Sequence, residues 1–120
     1  MARQNLFQAF RCAFAGIIHC IRRERNMKIH VGAMLAVLFL AWRSDLSRSD
    51  WALLIITIAF VLSAEMFNTA IEAVVDLMIP EYHLLAKIAK DVAAGAVLVS
   101  AIASLAVGYL LFFHGYFVDR

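Results

Sequence analysis

Residues 92–113, VAAGAVLVSAIASLAVGYLLFF, decide the fold class, because these 22 residues carry no formal charge. An α-helix rises about 1.5 Å per residue, so the segment would extend roughly 33 Å, and the hydrocarbon core of a bilayer is about 30 Å thick. Small residues recur in it at three- and four-residue spacing, which lets helices approach closely in lipid. The segment therefore predicts a transmembrane helix that packs against other helices.

The composition of the chain is typical of a membrane protein. Of its 120 residues, 64% are apolar and 17% are charged, whereas about 25% are charged in soluble domains. A soluble domain this short cannot bury so much apolar surface. The net charge of +2 comes without a basic run, so nothing indicates nucleic-acid binding. The composition excludes an ordinary soluble globule and predicts one integral-membrane domain over residues 1–120.

Two further apolar runs predict a helical hairpin. Residues 51–78 have a continuous helical pattern, and Pro80 would end it. The run 31–42 is shorter, and it spans a bilayer only if residues 27–30 extend it or the bilayer thins locally. Residues 43–50 are long enough only for a tight turn, so the two runs are predicted to form antiparallel helices.

The N-terminal residues 5–23 have a different pattern. Apolar side chains recur at helical spacing, and Arg11, Arg22 and Arg23 interrupt them. This pattern is typical of an amphipathic helix on a membrane surface, and a helix packed on other helices is a compatible alternative. The whole chain is thus predicted to be an all-α membrane protein with three transmembrane helices and an N-terminal amphipathic surface helix.

The basic residues predict the orientation. Six precede the first predicted span, namely Arg3, Arg11, Arg22, Arg23, Arg25 and Lys28. Lys87 and Lys90 lie between the second and third spans, whereas Arg43 and Arg48 lie in the first turn and Arg120 ends the sequence. Because basic residues concentrate on the cytoplasmic side, the N-terminus and the predicted loop 77–91 are expected in the cytoplasm.

A polar stripe interrupts the second predicted span. Glu65, Asn68, Glu72 and Asp76 are spaced by 3, 4 and 4 residues, which places them within roughly 80° of one another on a helix. Ionisable residues in a membrane helix are costly and usually mark function. If Trp51 lies near the outer face, Glu65 is about 21 Å inward, and the stripe lies at the cytoplasmic interface. In a second interpretation, Glu72 and Asp76 form a hydrated helix end and only Glu65 needs an explanation.

Three more residues on the same side extend the candidate site. Glu24 precedes the first span, and Lys90 and Asp91 precede the third. Several carboxylates with a lysine suit Mg²⁺ and phosphate, because the metal and the ammonium neutralise phosphoryl oxygens. A carboxylate near the lipid boundary could accept a proton from an alcohol.

Residues 65–76, EMFNTAIEAVVD, resemble the signature E-x-x-N-[ST]-A-x-E-x-x-V-D of the small bacterial integral-membrane diacylglycerol kinase family. The resemblance covers nearly the whole chain, including Glu24, residues 81–83 (EYH) and residues 89–91 (AKD). The sequence Glu-Arg-Asn at 24–26 with His30 is similar to the Gram-positive branch, whose members are chiefly undecaprenol kinases. His30 itself is expected to be a hydrogen-bonded structural residue.

The resemblance implies a homotrimer in the bacterial plasma (inner) membrane, with ATP and a lipid alcohol as substrates, Mg²⁺ as cofactor and a cytoplasmic active site shared between neighbouring chains. It also implies residue roles: Glu65 as catalytic base, Glu24 and Glu72 as magnesium ligands, Lys90 as a phosphate contact, and Asn68, Asp76, Tyr82 and Asp91 as nucleotide-binding or supporting residues.

The leading hypothesis is therefore phosphorylation of undecaprenol to undecaprenyl phosphate. Diacylglycerol phosphorylation to phosphatidic acid is the second. A small oligomeric proton-coupled transporter, with Glu65 as proton carrier, is an alternative from another class. The clustering of the stripe at one membrane face and the lack of ionisable residues in 92–113 argue against a transporter.

Overall fold

The computed structural model describes Arg3 and residues 5–113, and all regular secondary structure in that part of the chain is α-helical. The helices are α1 (Leu6–Arg23), α2 (Arg25–Arg43), α3 (Arg48–Met78) and α4 (Leu84–Phe112). The predicted all-α class is confirmed. Arg120, which entered the orientation argument, lies outside the described residues.

Helix α1 begins at a capping box. The Asn5 side chain accepts a hydrogen bond from the Gln8 N–H at 2.8 Å, and the Gln8 side chain accepts one from the Asn5 N–H at 3.2 Å, which satisfies two backbone donors that the helix leaves unpaired. The helix ends where Glu24 adopts an extended backbone, with φ −97° and ψ 120°. Glu24 is therefore the joint between α1 and α2, and the predicted helix 5–23 is confirmed.

Helix α3 stops where the sequence indicates, but it starts at Arg48, three residues before the predicted start at residue 51. Ser47 and Asp50 form its capping box, and it ends at Met78, two residues before Pro80. Its 31 residues extend roughly 46 Å. Four residues, 44–47, separate it from α2, so the predicted tight turn is present.

The expectation of a loop over residues 77–91 is wrong, because α4 begins at Leu84 and only residues 79–83 lie between the helices. His83 accepts the Leu85 N–H at 3.1 Å through Nδ1 and so caps the helix. An i,i+4 salt bridge of 2.6 Å joins Lys87 to Asp91 on the first turns. Residues 84–91 consequently extend the apolar helix at its N-terminal end, and their polar side chains lie on a helix rather than on a loop.

The packing places α3 at the centre. Helix α4 packs along it, α2 packs against it as well, and α1 contacts both α2 and α3. Within the described residues, α3 and α4 are the two helices long and apolar enough to cross a membrane. Helix α2, whose first turns are basic, does not reach the same combination of length and hydropathy. Large apolar side chains along both helices are exposed, for example Phe60 and Leu105. A surface of this kind needs lipid or further helices to cover it, which is consistent with a membrane location.

Candidate active site

The Glu65 carboxylate lies at the centre of the polar stripe. It is only 1% exposed, and among the described residues its Oε2 has no hydrogen-bond partner. The His30 Nε2 of α2 lies 3.7 Å from this oxygen, which is close enough for an ion pair but too long for a hydrogen bond. Burying a carboxylate oxygen without a partner is costly, so the structure holds an acceptor ready for another group.

Asn68 and Glu72 continue the stripe toward the end of α3. The Asn68 Nδ2 donates to Glu72 Oε1 at 3.3 Å, while its Oδ1 is buried with no hydrogen-bond partner in the described part of the chain. Exposure increases along the stripe, from buried Asn68 through half-buried Glu72 to exposed Asp76. The amide therefore orients one carboxylate and leaves a second oxygen available.

Glu24 joins this group from outside α3. It is half-buried at the joint between α1 and α2, and both it and Glu72 lie near enough to Glu65 to interact with it electrostatically. Three carboxylates from two parts of the chain thus converge, and this concentration of negative charge would attract a cation.

Lys90 brings positive charge to the same region. It forms a salt bridge with Asp76 and so connects α4 to α3, and it also lies within electrostatic range of Glu72. Its side chain is 39% exposed, so its ammonium remains accessible from water. A soluble anion could therefore reach Lys90 from the side on which the stripe becomes exposed.

Asp91 and Tyr82 lie in a more exposed setting. Asp91 pairs with Lys87 of its own helix at 2.6 Å rather than with a residue of the stripe, and Tyr82 is 81% exposed. Together with Asp76 and Lys90 they line an open depression of about 330 Å³. The predicted site residues therefore form two groups of residues, a buried group around Glu65 and an exposed group around Tyr82 and Asp91. The two groups meet at the salt bridge between Asp76 and Lys90.

An apolar groove of about 470 Å³ runs between α2, α3 and α4. Its walls include Met34, Val37, Leu54 and Phe112, and His30 lines it as well. His30 therefore lines the groove and also lies 3.7 Å from the Glu65 carboxylate, so it connects the groove lining to the surroundings of that carboxylate. An apolar chain that carries a hydroxyl group fits such a channel.

The sequence did not predict the contacts that His30, Thr69 and Cys20 make in the surroundings of Glu65. His30 is expected from the sequence to be structural, although its place in the branch motif is a signal that could have marked it. Thr69 donates to the Glu65 carbonyl at 3.0 Å, and Cys20 donates to the Thr69 hydroxyl at 3.6 Å. No spacing rule connects Cys20 to a residue 49 positions away.

The oxygen donors of Glu24, Asn68 and Glu72 fit magnesium. No group of three or more His, Cys, Asp or Glu side chains forms a complete metal site within the described residues. Mg²⁺ usually keeps several waters and binds through one or two carboxylates together with substrate phosphates. Glu24, Glu72 and the Asn68 Oδ1 have hard oxygen donors of this kind and would be the residues to hold the ion.

Comparison with known proteins decides the family. Residues 11–112 match the family described as prokaryotic diacylglycerol kinase. The chain belongs to this family. It is 43% identical to an undecaprenol kinase of Bacillus subtilis over 90% of this chain and 88% of that protein. It is 46% identical to a diacylglycerol kinase of Synechocystis over 87% of this chain and 60% of that protein. A diacylglycerol kinase of Escherichia coli is 40% identical over 62% of this chain and 61% of that protein.

Proposed function

We propose that this protein is an ATP- and magnesium-dependent lipid kinase that converts undecaprenol to undecaprenyl phosphate at the cytoplasmic face of the bacterial plasma membrane. The observation that carries the proposal is the buried Glu65 carboxylate, whose Oε2 has no hydrogen-bond partner among the described residues and lies 3.7 Å from His30, a residue that lines the apolar groove. Such a carboxylate suits proton abstraction from a lipid hydroxyl.

The relatives support this substrate class. The Bacillus subtilis undecaprenol kinase aligns over most of both chains, and the Glu24–His30 motif is similar to the branch to which such enzymes belong. Diacylglycerol is the second candidate substrate, because the relatives from Synechocystis and Escherichia coli are named diacylglycerol kinases. Both activities are phosphoryl transfers to a lipid alcohol.

In the proposed reaction the apolar chain of the substrate lies in the groove and its hydroxyl lies beside Glu65. The Glu65 Oε2 accepts the hydroxyl proton while the hydroxyl oxygen attacks the γ-phosphorus of ATP. The bond between the γ-phosphorus and the bridging oxygen breaks, and ADP leaves. Holding both substrates at a fixed place turns a bimolecular encounter into an intramolecular step.

The exposed group of residues is assigned to the nucleotide. Lys90 contacts phosphate oxygens, and Asp76 orients it through their salt bridge. Tyr82 and Asp91 support the nucleotide in the open depression beside them. Glu24 and Glu72, with the Asn68 Oδ1, hold magnesium, which when bound neutralises charge on the phosphates.

The membrane arrangement belongs to the same proposal. Helices α2, α3 and α4 cross the bilayer as three spans, and α1 lies on the cytoplasmic surface as part of a single domain over residues 1–120. The exposed apolar face of α1, with Phe7, Phe10 and Phe14, supports a surface position. A homotrimer with sites shared between neighbours suits the extensive apolar surface of α4 and the partly exposed setting of Tyr82 and Asp91.

The proposal is tested by offering the purified protein undecaprenol and diacylglycerol in parallel, each in detergent–lipid micelles with Mg²⁺ and labelled ATP. The phosphorylated lipid is identified by mass spectrometry. Undecaprenyl phosphate is expected as the main product. Predominant phosphatidic acid would favour the second substrate, and the absence of any labelled lipid would overturn the kinase assignment.

A further inference from the structure

A chain of hydrogen bonds connects α1 to the backbone of Glu65. Within α1, all of whose residues are described, Cys20 alone is buried, and it is 3% exposed. Its Sγ–H donates to the Thr69 Oγ1 at 3.6 Å, and the Thr69 hydroxyl donates to the Glu65 carbonyl at 3.0 Å. The end of α1 is thereby attached to the turn of α3 that carries the buried carboxylate.

Cys20 is also hydrogen-bonded to the backbone of Glu24, the residue that carries the other candidate carboxylate. Its carbonyl accepts the Glu24 N–H at 2.9 Å, which is the hydrogen bond that ends α1. Within the described chain the Glu24 side chain forms no capping hydrogen bond to α2, so its position depends on how firmly the last turn of α1 is held. Cys20 thus connects to Glu24 through its backbone and to Glu65 through its side chain.

We propose that Cys20 is a positioning residue for phosphoryl transfer, whose thiol bond to Thr69 fixes the separation between Glu24 on the α1–α2 joint and Glu65 on α3. The inference rests on the proposed function, in which these two carboxylates serve magnesium and the proton. Loss of the hydrogen bond between Cys20 and Thr69 would let the α1–α2 joint shift, and small displacements of reacting groups lower the reaction rate strongly.

Paired substitutions separate the hydrogen bond from the space that the side chains fill. Cys20→Ala removes the donor and Cys20→Ser keeps one, while Thr69→Val removes the hydroxyl at nearly constant volume and Thr69→Ser keeps it. We expect Cys20→Ala and Thr69→Val each to lower kcat about tenfold with an unchanged KM for the lipid. The double variant Cys20→Ala/Thr69→Val should lose no more kcat than either single variant, because both substitutions break the same hydrogen bond. The kcat of each serine variant should stay within about twofold of the wild-type value.

A second readout does not depend on turnover. Electron paramagnetic resonance of Mn²⁺, with a non-hydrolysable ATP analogue present, measures binding of the metal to the intact protein. We expect Cys20→Ala to weaken Mn²⁺ binding several-fold and Cys20→Ser to bind it like the wild type, since only the former frees the joint at Glu24. The thermal midpoint of each variant is recorded alongside.

The inference is overturned if Cys20→Ala retains wild-type kcat and Mn²⁺ affinity. It is also overturned if the loss of kcat in the double variant equals the product of the losses in Cys20→Ala and Thr69→Val. It is also overturned if Cys20→Ser is impaired as much as Cys20→Ala, because the side chain would then matter for packing alone. If the wild-type protein phosphorylates no lipid, the proposed function fails, and the Mn²⁺ measurement still decides whether Cys20 positions Glu24.

Discussion

Two lysines on neighbouring turns of α4 allow a direct test of the nucleotide side of the site. Lys90 pairs with Asp76 across the α3–α4 interface, and Lys87 pairs with Asp91 within α4. All four side chains are substantially exposed, from 39% for Lys90 to 64% for Asp76. The variants Lys90→Met and Lys87→Met each remove one exposed charge and one ion pair, so they form a matched pair.

The structure predicts that the two variants differ in rate but not in stability. Exposed ion pairs contribute little to folding because water and salt screen them, so both thermal midpoints should remain close to that of the wild type. If Lys90 contacts the transferred phosphoryl group, however, its loss removes a charge-assisted donor from the transition state. Losses of that kind lower kcat by about 10²- to 10³-fold, whereas Lys87→Met, which affects the site only through its ion pair with the supporting residue Asp91, should lower kcat much less.

The assay is the initial rate of lipid phosphorylation at varied ATP concentration, with the lipid saturating. Lys90→Arg is the conservative variant, and it should recover part of the activity because it retains the charge without the same geometry. Equal losses in Lys90→Met and Lys87→Met would show a general charge effect. Near-normal activity of Lys90→Met would refute the assignment of Lys90 to phosphate.

Two further predictions concern the metal and the lipid. Asn68→Leu removes the hydrogen-bond donor to Glu72 and the Oδ1 that has no partner among the described residues. The Mg²⁺ concentration for half-maximal activity should therefore rise about tenfold. An unchanged magnesium titration would exclude Asn68 from the metal site. Ala33→Phe places a ring in the apolar groove at an exposed position, so the KM for the lipid should rise several-fold at constant KM for ATP. Ala36→Phe, exposed on the same helix outside the groove lining, is the control, and equal effects of the two would contradict a lipid chain in the groove.

Local sequence signals predicted much of the helical framework. The stop before Pro80 and the tight turn within residues 43–50 were predicted and are present, whereas the capping box at Ser47, which starts α3 earlier than expected, was not predicted. Helix stops and tight turns depend on residues that are close together in the chain, so they can be recognised from a single sequence. The same holds for the stripe from Glu65 to Asp76, because helical periodicity alone places its members on one face.

Contacts between helices could not be predicted in this way. Periodicity shows which face of α3 carries Glu65, but it does not show that His30 of α2 faces the carboxylate or that Cys20 of α1 reaches Thr69. The first turns of α4 were missed for a different reason. Lys87, Lys90 and Asp91 look like loop residues beside an apolar span, yet the His83 cap and an i,i+4 ion pair stabilise helix there.

The assignment of Glu65 as the base is the central claim, and one comparison tests it most directly. Glu65→Gln keeps the shape of the buried side chain and removes its ability to accept a proton, while Asp45→Asn neutralises an exposed carboxylate in the turn at the far end of α3. The measurement is kcat for phosphorylation of undecaprenol with saturating Mg²⁺ and ATP. We expect kcat to fall by about 10²- to 10⁴-fold in Glu65→Gln, because a general base is lost, and to stay at the wild-type value in Asp45→Asn. Retention of most of the activity by Glu65→Gln would contradict the assignment of Glu65 as the base.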